Sequence, residues 1–204
     1  MRNMMVIALL SLMTLMGHAQ AATPDARTEQ SKAFIANVGD KALSTIKATQ
    51  DGQMTEDAAK QQFRALLNQA FDIPTIARFT LGRYWRVATP AQQQEFTALL
   101  KDVIIDKYAD RMLTASTGSF TINNAQSIND RDTAVMMMIK PTGDQPISFA
   151  WRVRTINNAP KIIDLAVEGV SMSITHRADF SSVIERKGGN VQALIDALKA
   201  KRDR

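Results

Sequence analysis

Apolar positions along this chain recur at helical spacing, switch to alternation near Gly118, and return to helical spacing near Ala178. In the first helical stretch Phe34, Ile35, Val38, Ala42 and Ile46 form a stripe, Thr23-Pro24-Asp25 supplies a cap and a first-turn proline, and Asp51-Gly52 closes it. Thr55-Glu56-Asp57 opens a second helix whose apolar face is Phe63, Leu66, Leu67, Ala70 and Phe71. Asp72 is expected to cap a short third helix from Ile73 to about Leu81, ended by Gly82. Thr89-Pro90 repeats the cap-plus-proline start. The long helix that follows, to about Met112, buries Phe96, Leu99, Leu100, Val103, Ile104, Tyr108 and Met112 and turns Lys101, Asp102, Asp106, Lys107, Asp110 and Arg111 to water.

The alternating region predicts strands over Ser119–Ile128, irregular at Asn123-Asn124, then Asp132–Lys140 and Gln145–Ile156. The third alternates most cleanly, with Ile147, Phe149, Trp151 and Val153 on one face and Ser148, Ala150, Arg152 and Arg154 on the other. Met136-Met137-Met138 puts thioethers on both faces of the second, which predicts cover on both sides or one face in a cleft. From Lys161 the alternation runs through Ile163, Leu165 and Val167. It breaks at Gly169, where a bulge is expected, and resumes as strand at Val170, Met172 and Ile174. Two helices close the chain, from about Ala178 to Arg186 and Val191 to Lys201, separated by Gly188-Gly189. Short turns between strands make an antiparallel meander, and helices before and after it make the class α+β.

Before all this, Arg2, the apolar run Met4 to Met16 and Ala19-Gln20-Ala21 read as an export signal over residues 1–21. Residues 22–204 then form one domain. The run is too short to span a bilayer. Removing Arg2, with no acidic residue lost, takes the formal charge from +5 to +4. That balance suits anionic lipid surfaces or acidic partner patches rather than nucleic acid. With no cysteine, disulfides, thiolate metal sites and lipidated cysteines are excluded. His176, alone after export, does not make a multi-ligand zinc site. Gly169-Val170-Ser171-Met172-Ser173 lacks the last glycine of a nucleophile elbow, and there is no glycine-rich phosphate loop. Asp164 and Glu168, four apart in an extended segment, are expected to accept hydrogen bonds or pair with Arg152, Arg154 or Arg177; acid–base chemistry is the alternative.

Two blocks carry a family resemblance. Asp164-Leu-Ala-Val-Glu168-Gly169-Val170-Ser171-Met172, followed by Arg177 and Phe180, resembles a signature of the MlaC (toluene-tolerance) family. So does Phe71-Asp72-Ile73-Pro74 followed by Leu81-Gly82-Arg83-Tyr84-Trp85. The resemblance implies a periplasmic phospholipid carrier and no enzyme or cofactor. Its implied fold is NTF2-like: a twisted antiparallel sheet of four to five strands wrapped by helices, with a deep apolar cleft for acyl tails. It implies shuttling between an outer-membrane lipoprotein–porin complex and an inner-membrane ABC transporter with an MCE-domain protein, which maintains outer-membrane lipid asymmetry. Ala159-Pro160 stands where many members have Gly-Trp, and His176 where Tyr is frequent, so a hopanoid or other lipid is an alternative cargo. An NTF2-like exported enzyme and an interaction module that binds no lipid are alternatives of another kind. A monomer is the default.

Exposing some thirty tail methylenes to water costs about 25 kcal/mol, at roughly 0.8 kcal/mol each, so the tails of a carried lipid must be almost enclosed. Alternation and position nominate Trp85, Val103, Ile104, Met136, Met138, Phe149, Trp151, Val170 and Met172 for that enclosure. Arg83, Arg86 and Arg177 are the candidates for headgroup or partner contact.

Overall fold

The computed structural model describes residues 24–113 and 118–202. The export signal, the Thr23 cap and the side chains of Asp106, Lys107, Tyr108, Asp110, Arg111 and Met112 lie outside what is described. Helices α1 (Pro24–Gln50), α2 (Glu56–Ala70), α3 (Ile73–Leu81) and α4 (Pro90–Leu113) come first, with a 3-10 turn at Gly82–Arg86 between the last two. Strands β1 (Gly118–Ser127), β2 (Asp132–Pro141), β3 (Ile147–Ile156), β4 (Ala159–Val167) and β5 (Val170–Ser171) follow. Helices α5 (Met172–Arg186) and α6 (Val191–Arg202) end the chain. The sheet is an antiparallel meander in the order β1-β2-β3-β4-β5, as short connections require.

Local chemistry sets the helix starts. Thr55 accepts from the Ala58 N–H at the head of α2. Thr89 and Gln92 satisfy each other's backbone N–H at the head of α4, a capping box in which glutamine takes the third position. Asp72 differs from expectation: it makes no capping bond to the α3 backbone, and its carboxylate accepts from the Thr75 hydroxyl at 2.6 Å. The Asp72 N–H instead donates to the Ile162 carbonyl at 2.9 Å, so the α2–α3 corner is pinned to β4.

The expected bulge at Gly169 is a turn. Glu168 and Gly169 have φ of 49° and 79° and link Val167 to its partner Val170, the two positive values that a two-residue type I′ hairpin demands. The expected continuation of strand through Ile174 is also overturned, because α5 begins at Met172 rather than Ala178. Ser171 caps it, and the Asp164 carboxylate accepts from the Ser171 hydroxyl at 2.6 Å and the Ser173 N–H at 3.0 Å. Those bonds satisfy first-turn donors that a strand would have paired differently. Glu168 accepts from the Ser148 N–H and returns its own N–H to the Ser148 carbonyl. Both carboxylates thus accept hydrogen bonds, the first of the two expected roles, while Arg152 and Arg154 bind Asp132 instead.

Helix α1 lies across β1–β4, and α2 and α3 reach β4. Gly39 makes the closest contact possible, since a Cβ there would stand 2.7 Å from the Phe120 ring. Buried side chains divide into two clusters. One joins α3, α4, α5 and α6 around Phe96, Leu100, Ile184 and Ile195. The other joins α1 and α2 to the sheet around Ile35, Phe63, Val135, Val153 and Ile162. Phe71 packs against both.

Candidate functional site

Register decides which strand residues share a face. Met137 pairs with Ile122 and Phe149, Val135 with Ala125 and Trp151, and Trp151 with Leu165, so these side chains project together toward α1. On that inner face Val135, Met137, Val153 and Ile162 are buried. Toward the end of the sheet where β1 starts and β4 stops, cover thins. There Phe120, Ile122, Ile139, Ile147, Phe149, Leu165 and Val167 are each only partly buried. The result is an apolar shelf crossing four strands, with the Phe149 and Trp151 rings stacked at 6.1 Å between centroids.

The shelf carries one polar atom of consequence. The indole N–H of Trp151 is buried and has no hydrogen-bond partner among the described residues. A buried donor left unmet costs about 1–3 kcal/mol, and native structures rarely leave one without a reason. Diagonally across the β2–β3 pair, the Thr133 hydroxyl is also buried and unpartnered, but it lies beneath fully enclosed neighbours.

The nominated tail-contact residues do not all converge. Phe149 and Trp151 stand on the shelf. Met136 and Met138 pair with Ala150 and Ser148 and occupy the opposite face of the sheet, partly exposed, so they do not line one cavity with Phe149 and Trp151. Ile104 is buried and Val103 partly buried in the helical cluster. Val170 is 56% exposed in the hairpin, and Met172 is the first residue of α5. Trp85 faces a separate open groove of about 650 Å³, floored by Phe71, Ile73 and Pro74 and rimmed by Asn68, Gln93, Gln94 and Lys101.

Two of the three arginines meet at the corner of the 3-10 turn and α5, where the Arg177 guanidinium packs on Gly82, the chain neighbour of Arg83. Arg83 pairs with Glu185 at 2.7 Å and lies over the Tyr84 ring; its hydrogen bond to the Tyr84 hydroxyl, then the nearby Glu185, raise its pKa. Arg86 is exposed. Arg177 covers the ring of Phe79, which is itself exposed, with Ile174 one turn away on α5. Alternation alone missed Phe120, Ile122, Ile139, Ile147, Leu165 and Val167 as a set. Knowing the strand order and the two irregularities, at Ile122/Asn124 and Arg152/Val153, would have grouped them.

Among the described residues no three His, Asp or Glu side chains are grouped to hold a metal ion, and no helix is long and apolar enough to cross a membrane. What the shelf offers is apolar area with a single neutral donor, the makings of a site for a lipid-like molecule.

The sequence model of the MlaC protein family matches residues 36–200. The toluene tolerance protein Ttg2D of Pseudomonas putida is 20% identical over 156 residues, which cover 76% of this chain and 73% of that protein. A phospholipid-binding protein of Ralstonia solanacearum, solved in complex with a phospholipid, superposes with a TM-score of 0.74 at 25% identity. The match covers 85% of this chain and 97% of that one.

Proposed function

Because the chain belongs to the MlaC family, we propose that it is a periplasmic phospholipid carrier, a binding and transfer protein rather than an enzyme. Its cargo's acyl tails lie against the inner-face shelf, and its partners are the outer-membrane lipoprotein–porin complex and the inner-membrane ABC transporter with its MCE-domain protein. By moving phospholipid between them it maintains the asymmetry of the outer membrane.

The observation that carries this reading is the shelf itself. A sheet face that is fully packed at one end and leaves large apolar side chains on four adjacent strands half-covered at the other has kept surface for something apolar. The phospholipid held by the Ralstonia protein, over a match that spans nearly all of that chain, supports the class of cargo. Tails costing about 25 kcal/mol to expose require cover on the side away from the strands as well as the shelf beneath them.

Native mass spectrometry of the exported protein, purified from a bacterial periplasm without detergent, tests the proposal. One phospholipid per chain, identified after solvent extraction, is the expected result. Apo protein that also refuses lipid from liposomes would overturn it.

A further inference from the structure

We infer that the Trp151 indole N–H is the anchor for a neutral acceptor oxygen of the cargo, the ester carbonyl of a diacyl glycerolipid, and that it selects ester lipids over ether lipids and polycyclic hydrocarbons. The inference rests on the carrier reading and adds the polar contact that fixes the cargo's depth. Three observations lead to it. The donor is buried and has no hydrogen-bond partner among the described residues. Trp151 stands on the inner face beside Phe149, between the enclosed Val135 and the half-covered Leu165, at the boundary where packing gives way to the shelf. Its cross-strand neighbours are apolar, and none of the shelf positions among the described residues is a cation that would offset a phosphate charge.

Those conditions select the acceptor. An anion at that depth would lose its hydration without a counter-charge, whereas an ester carbonyl is neutral and lies at the junction of tails and headgroup. A lipid without a carbonyl there leaves the N–H unmet. Sites built to hydrogen-bond a ligand reject analogues lacking the group for that reason.

The test compares phosphatidylglycerol with two ester-linked chains against its diether analogue, for the mature protein and for Trp151→Phe, which keeps an aromatic ring and removes the donor. The wild type is expected to bind the diester about fivefold more tightly, the size of one neutral hydrogen bond, and Trp151→Phe to bind both lipids equally. A preference that is absent in the wild type, or that survives in Trp151→Phe, overturns the anchor while lipid binding itself stands. Failure of the wild type to bind either lipid overturns the carrier reading, and the anchor with it. Should the variant not fold, the wild-type indole resonances decide. The chain has two tryptophans, and the Trp151 N–H signal must shift and exchange more slowly on loading with diester but not with diether lipid. An unshifted signal overturns the inference.

Discussion

Burial by itself would raise the Asp132 carboxyl, yet hydrogen bonds from Arg154, Arg152 and Asn129 outweigh it and hold the group well below the usual carboxylate range. The side chain is fully enclosed, and Arg152 and Arg154 reach it at 2.6 Å. Arg27 clamps the adjoining turn through the Asp130 carbonyl and the Ser127 hydroxyl, so this cluster locks the packed end of the sheet to the start of α1. A carboxyl whose pKa is lower folded than unfolded stabilises the fold above about pH 4, its unfolded value, and loses that contribution as pH falls further. Asp132→Asn should cost about 2 kcal/mol at neutral pH, below the roughly 3–5 kcal/mol of breaking a fully buried pair because both guanidinium groups keep access to water. Urea unfolding across pH checks both parts. The wild type should lose stability below about pH 4 while the variant's curve stays flatter there, and parallel curves would refute the assignment.

At the scale of elements, the start of α5 shows what alternation hides. Val170, Met172 and Ile174 satisfy a strand pattern, but Asp164 reaches across the hairpin to the Ser171 hydroxyl and the Ser173 N–H and makes the helix begin there. Asp164→Ala should therefore destabilise by about 1–2 kcal/mol, the worth of a lost cap. Amide exchange should show the Ser173 and Ile174 protons losing protection while α6 is untouched; unchanged protection at Ser173 would mean that Ser171 alone suffices. Most other elements were legible: the caps at Thr55 and Thr89, the breaks at Gly82 and Gly188-Gly189, and the meander forced by short connections. Faces were less so. Alternation states that Met136 and Met138 oppose Met137, but only the pairing of Met137 with Phe149 reveals which side meets α1. The half-cover of the shelf depends on how α1 lies over the strands, with Gly39 against Phe120, which no local pattern encodes.

For the whole molecule, the division of the core is the consequential feature. The cluster of α3–α6 and the cluster of α1, α2 and sheet are distinct, joined by Phe71, by the Asp72–Ile162 bond and by α4, which gives Leu100 and Ile104 to the first and Ala109 to the second. A lipid on the shelf contacts only the second. Binding at a hundredfold excess over Kd stabilises the native state by about 2.7 kcal/mol. For a chain of this size that raises Tm by roughly 5–10 °C. The gain should not be uniform. Under conditions where amides exchange through local opening, phospholipid should slow exchange in α1 and β1–β4, whose apolar faces acquire a partner. α6, whose buried Leu194, Ile195 and Leu198 face the other cluster, should exchange as before. Slowing of α6 equal to that of the strands would mean that the lipid spans both clusters, and would move the site from the shelf toward the groove beside Trp85.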